Sequence, residues 1–131
     1  MLRTWIIAFV LTVLTTVPAQ SASVTVQEMA VTTRVTRGKP IDAVHRISHR
    51  SVRALFCFTR LTTTNAAPGQ QLRHVWSRNG VQVQENVLTI SGRQPRLVST
   101  LPLSKDSTGA WRVELLDGSG TPLKTIDFQV H

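Results

Sequence analysis

The chain has one cysteine, Cys57, and seven acidic residues in 131. A lone cysteine excludes an internal disulfide, the usual prop of a small exported domain, so the fold must rest on packing. Cys57 sits inside Leu55-Phe-Cys-Phe58, and reads there as a small buried hydrophobe rather than a reactive or intermolecular thiol. Long apolar runs are missing too. The longest, Trp5 to Val17, is interrupted by Thr12, Thr15 and Thr16 and falls short of the roughly 20 residues that span a bilayer.

Enzyme signatures are also missing. The sequence has no Gly-x-Ser-x-Gly elbow, no His-Glu-x-x-His and no phosphate-cradling P-loop. Of the acids, Asp106 and Asp117 read as turn residues and Asp42 as a loop residue. Glu28, Glu85, Glu114 and Asp127 fall in strand-like segments, and no two are spaced for acid/base work. His45 and His49, four apart, share one side of either a helix or a strand. A zinc site normally needs three or four protein ligands, and no acid or thiol lies between them. The expectation is therefore no enzyme, no metal and no cofactor.

What is present begins with an export pattern. Met1-Leu-Arg-Thr supplies a short positive start, the apolar run follows, and Pro18-Ala-Gln-Ser-Ala22 offers small residues at cleavage spacing. That layout is a secretory signal peptide over residues 1–22, a signal helix preceding one domain at 23–131. An uncleaved anchor is the alternative. No cysteine follows the run to accept a lipid. Export points to the periplasm, with secretion as the second destination.

Without Arg3, 14 Lys and Arg stand against 7 Asp and Glu. After export, the anions such a chain meets are lipid phosphates, acidic glycans and acidic proteins, so nucleic acid is not expected. The charge is spread along the chain, which is what a merely solvated basic surface also looks like.

The hydrophobic pattern alternates with period two far more often than with a helical period. Strands are expected at Val24 to Val35, Val52 to Leu61, Leu72 to Arg78, Val81 to Ile90, Pro95 to Leu101, Ala110 to Leu116 and Leu123 to Val130. Arg37-Gly-Lys-Pro-Ile41 breaks the first of these. Val44 to Arg50 reads as either a short helical turn or an irregular crossing. The second strand is apolar on both sides, which marks a central strand covered on both faces. Asn79-Gly80 between two strand-like runs is a strong hairpin signal, because a type I′ turn needs positive φ at both centre residues. A change of face near Glu85 or Asn86 requires a bulge or bend. About seven short strands predict an all-β fold. The expected architecture is a single antiparallel sandwich of immunoglobulin-like or fibronectin-like form, with a small barrel as the alternative.

Trp76 and Trp111 sit mid-strand among apolar residues and are expected as structural core anchors rather than a sugar-stacking platform. His74, two before Trp76, shares its face and is expected as hydrogen-bonded structure, as are Asn79 and Gly80 in the turn. Arg60, Arg73, Arg78, Arg93, Arg96 and Arg112 remain, several of them on strands. If their strands are neighbours, Arg60, Arg73, Arg78, Arg96 and Arg112 form a basic binding face able to grip carboxylates or phosphates. Glu114 and Asp127 could equally neutralise such a face as cross-strand partners.

Three motifs in order, Phe58-Thr-Arg-Leu61, His74-Val-Trp76 with Asn79-Gly80, and Gly109-Ala-Trp-Arg-Val-Glu114 with Asp117-Gly118, resemble the domain of unknown function 2914 family. The resemblance runs from about Val31 to Val130. It implies a domain of bacterial exported or envelope proteins and brings no catalytic residues. Where the family's strand at Arg96 to Thr100 continues into a lysine, this chain has Leu101. The functional expectation is a non-catalytic, exported interaction module of the bacterial envelope that docks a partner protein. An arginine-rich binder of anionic glycan, lipid or other polyanion is the alternative, and a metal-dependent or hydrolytic enzyme a remote third.

Overall fold

The computed structural model describes residues 23–64 and 69–131; the expected signal segment, 1–22, lies outside the described residues. Two tight turns set the local geometry. Asn79 and Gly80 both take positive φ, 49° and 81°, as a type I′ hairpin requires. They join β6 (Gln71–Arg78) to β7 (Val81–Thr89). Arg37 and Gly38, at 55° and 69°, repeat that geometry between two short strands, β2 (Val35–Thr36) and β3 (Lys39–Pro40). The sequence reading had only a chain break there.

The remaining strands are β1 (Ser23–Thr32), β4 (Arg46–Ile47), β5 (Ala54–Thr64), β8 (Arg96–Pro102), β9 (Gly109–Leu116) and β10 (Pro122–Val130). The seven long ones match the seven expected runs. A three-stranded sheet has the order β1-β5-β8 and a five-stranded sheet the order β4-β10-β9-β6-β7. The ambiguous stretch after Val44 is an irregular crossing. Within it β4 pairs parallel to the end of β10, Gln129 with Arg46 and Val130 with Ile47. That pair corrects the purely antiparallel expectation. A crossing that enters from the other sheet can run beside β10 in either sense.

Alternation along each strand decides which residues meet between the sheets. Leu55, Cys57 and Leu61 on β5 face Leu72 and Trp76 on β6 and Val113 and Leu115 on β9 in one buried cluster. Three rings organise its middle. Trp111 stacks on Phe128 with centroids 6.1 Å apart and planes 12° from parallel, and Trp76 meets Phe128 edge-on at 6.1 Å and 87°. Both indole N–H groups are satisfied. Trp76 donates to Asn86 Oδ1 at 3.2 Å and Trp111 to the Ser107 carbonyl at 2.6 Å.

The expected change of face on β7 is a register shift opposite Trp76 and Ser77, where Gln84 and Gln82 are the partners and Val83 is the extra residue. It falls just ahead of the predicted place.

β5 is central in its sheet, and its outer face is covered as its composition demands. Phe58 is 1% exposed although it points away from the main cluster. The β2–β3 hairpin leaves β1 at Thr32 and Thr33, where Asp42 accepts three hydrogen bonds of 2.6 to 2.8 Å. Its tip ends against Arg96 on β8, because a Cβ on Gly38 would run into that guanidinium. A hairpin tied to β1 and touching β8 crosses the outer face of β5, where Phe58 lies.

Candidate functional site

Chemistry-bearing side chains inside the sandwich have no access to solvent. His74 on β6 reaches across to the other sheet, with Nε2 2.9 Å from Thr59 Oγ1 and Nδ1 2.6 Å from Ser99 Oγ. Burial lowers its pKa to about 4. Cys57 lies 3.7 Å from the same ring, and burial pushes its thiol up to about 12. A neutral imidazole between two hydroxyls and a protonated thiol form a polar rivet. No substrate can approach a group that is wholly buried. Among the described residues, no three His, Cys, Asp or Glu side chains gather to hold a metal ion. His45 and His49 belong to no such group.

The arginines singled out from sequence do not form one face. Arg73 and Arg112 lie on the outer face of the five-stranded sheet, on the neighbouring strands β6 and β9. Each has its own acid: Arg73 Nη1 is 2.9 Å from Glu85 and Arg112 Nε is 2.7 Å from Asp127. The hydrogen bond from Arg112 holds the Asp127 carboxyl below its usual range. Glu114 adds a further negative charge beside Arg112. Arg78 follows the bulge and pairs with Trp111 at the end of β6. Arg60 and Arg96 belong to the other sheet, directly opposite each other on β5 and β8. The expected single basic face is thus split between two sheets, because β5 and β8 pair with each other and not with β6 or β9.

A shallow depression of about 570 Å³ lies where the Asn79-Gly80 turn meets β9 and β10, lined by Ser77, Arg112, Glu114 and Asp127 among others. The Arg112–Asp127 ion pair occupies its rim.

The edges of the two sheets differ from one another. β1 is engaged where Val44 N donates to the Val31 carbonyl at 2.7 Å. β8 is blunted by the Gln84 side chain, whose amide donates to the Thr100 carbonyl at 2.7 Å. β4 has two residues, and the β10 edge beyond it starts with Pro122 and carries Lys124. Proline and lysine are standard edge protection. Beyond Val31 the ten-residue β1 has no such guard either, and β7 differs from it in exposing large apolar side chains. Nine residues long, β7 pairs with β6 on one side and with no strand on the other among the described residues. It carries Val81, Val83 and Val87 at 67%, 54% and 57% exposure, with neither proline nor lysine. The Val83 bulge is its one protective device. Periodicity in the sequence has no way to show that β7 is an edge.

Residues 69–130 match the model of a family described as a protein of unknown function, DUF2914. Over this stretch the chain is similar to the DUF2914 family, the family that its motifs resemble. The matched segment supplies β6 to β10, including the open edge, both core tryptophans and the hairpin turn. Phe58-Thr-Arg-Leu61 lies ahead of the matched residues. No curated protein matches the chain.

Among solved structures, the chain is similar to an immunoglobulin-like protein from Pseudomonas aeruginosa. Identity is 11%, 83% of this chain and 97% of that one are covered, and the TM-score is 0.55. It also aligns with the CARDB domain of a Pyrococcus furiosus protein solved in complex with di-metal ions, at 11% identity, 83% and 93% coverage and a TM-score of 0.48. The first likeness shows the fold: the matched segment and the strands before it make an immunoglobulin-like β-sandwich. Among the described residues no helix is long and apolar enough to cross a membrane.

Proposed function

We propose that the protein is a non-catalytic, exported interaction module that docks an extended segment of a partner protein along β7. One observation carries this reading: a nine-residue edge strand that exposes three valines and pairs with no strand on its far side among the described residues. An unguarded apolar edge is an aggregation hazard unless something occupies it. Strand addition is the natural occupant, with backbone hydrogen bonds giving affinity and alternate side chains giving selectivity. The excess of 14 Lys and Arg over 7 Asp and Glu beyond the leader favours an acidic partner and speeds its encounter. The leader-like pattern of residues 1–22 supports export. Inaccessible His74 and Cys57 support a role without catalysis.

A photo-crosslinking residue placed at Val87, with one at Thr125 as control, tests the reading in intact envelopes. Saturable capture of one protein species from position 87 is expected, abolished by Val83→Lys with the fold intact. Equal capture from both positions, or capture that survives the lysine, overturns it.

A further inference from the structure

The outer face of the three-stranded sheet carries a second candidate site, independent of the β7 edge. Arg60 and Arg96 are direct cross-strand partners on β5 and β8. Like charges set opposite each other destabilise a sheet, so the pair is a local cost to the fold. The third strand offers only partial relief, since Glu28 approaches Arg60 Nε at 3.6 Å, beyond hydrogen-bond range, with both side chains more than a third exposed. The β2–β3 hairpin then brings more positive charge instead of a counter-charge. Gly38 at its tip rests against the Arg96 guanidinium, with Arg37 before it and Lys39 after it in the chain.

The tip carries a second cost. Arg37 holds φ at 55°, a left-handed conformation that asparagine or glycine adopts readily and a long side chain adopts at a penalty. Backbone strain of this kind collects at ligand clamps. None of the Arg37, Arg60 and Arg96 side chains makes a hydrogen bond among the described residues, in contrast to Arg73 and Arg112, which each bond an acid. Arg37 and Lys39 flank Gly38 on the hairpin, so four basic residues belong to the turn and strands that meet here, against the one carboxylate of Glu28.

We infer that Arg37, Arg60 and Arg96 form a binding site for a phosphate group. A carboxylate has two oxygens and is filled by one guanidinium fork, whereas a tetrahedral phosphate has enough acceptor oxygens for forks from several directions. Cross-strand partners lie about 5 Å apart at their Cα atoms, close enough for two arginines to share one anion. The Gly38 backbone lets the tip approach Arg96, so the hairpin that roofs Phe58 also closes one side of the site. A soluble phosphomonoester and a phospholipid headgroup present the same chemistry to these groups.

The test is an NMR titration of the intact folded protein with inorganic phosphate, and separately with phosphatidylcholine vesicles with and without phosphatidylglycerol. Saturable shifts confined to the amides around Arg37, Arg60 and Arg96 are expected. Shifts with phosphate assign a soluble phosphate ligand; shifts with phosphatidylglycerol vesicles alone assign a membrane surface. Arg96→Glu should weaken binding about tenfold or more, the scale of a lost charge-assisted hydrogen bond. Arg112→Glu makes the same change in net charge on the far sheet and should leave binding as it was. Arg37→Gly relieves the positive φ, so it should weaken binding without lowering the thermal midpoint. Equal losses from Arg96→Glu and Arg112→Glu, undiminished binding by Arg37→Gly, or no saturable shift with either probe overturns the site.

Discussion

The Nδ1 atom of His74 on β6 lies 2.6 Å from the Ser99 hydroxyl on β8, in the opposite sheet. On its other side Nε2 meets Thr59 on β5, so one ring fastens three strands across the sandwich. The unfolded imidazole takes a proton as pH falls through 6.5, while burial keeps the folded one neutral until about 4. Stability from His74 is therefore complete above pH 6.5 and drains away between 6.5 and 4, by about 3 kcal/mol. Urea denaturation across this range, with an NMR titration of the His74 ring, checks it. A ring midpoint near 6.5 would mean that water reaches the imidazole.

Trp76 and Trp111 bracket Phe128, and their removal should be felt at once. Trp76→Ala is expected to destabilise by roughly 3–5 kcal/mol, a large share of a small domain's typical total. Chemical denaturation gives the value. A loss below 1 kcal/mol would place the ring outside the core.

Asn79 does two things in the β6–β7 turn. It holds φ at 49°, and its Oδ1 accepts from Ala110 N at 3.0 Å, which ties the turn to β9. Asn79→Gly keeps the conformation and loses the bond, at about 1 kcal/mol. Asn79→Ala loses both, at about 2 kcal/mol. Equal costs from the two variants would show that conformation contributes nothing.

Cys57 is sealed, and its thiol is pushed up to about 12 by burial. A thiol reagent at pH 8 should label the protein only as fast as it unfolds. Labelling faster than global unfolding, measured in the same buffer, would reveal a local opening of β5.

Most of the seven long strands were readable because they bury one side, so period-two alternation writes itself into Trp111-Arg-Val-Glu-Leu115 or Ile126-Asp-Phe128, while β5 stood out by being apolar on both. Asn79-Gly80 announced its turn for the same local reason. Arg37-Gly38 adopts identical geometry, but arginine is a poor resident of the left-handed region, so nothing in its chemistry flagged a turn. The parallel contact of β4 with β10 left no pattern either, since two residues are too few to alternate. Arg60 and Arg96 could not be separated from Arg73 and Arg112 by sequence, because strand order is set by long-range packing that periodicity does not record. That same blindness hid the β7 edge: Val81, Val83 and Val87 were visible as apolar residues, while their exposure depends on β7 being last in its sheet.

The Gln84 amide, spent on the Thr100 carbonyl, has a consequence for stoichiometry. A domain able to accept strands on two flanks can be threaded into an endless fibre, each copy templating the next. Because Gln84 itself belongs to β7, a guest docked there as proposed would lie beside a β8 flank already stoppered at Thr100, which works against a second guest on that side.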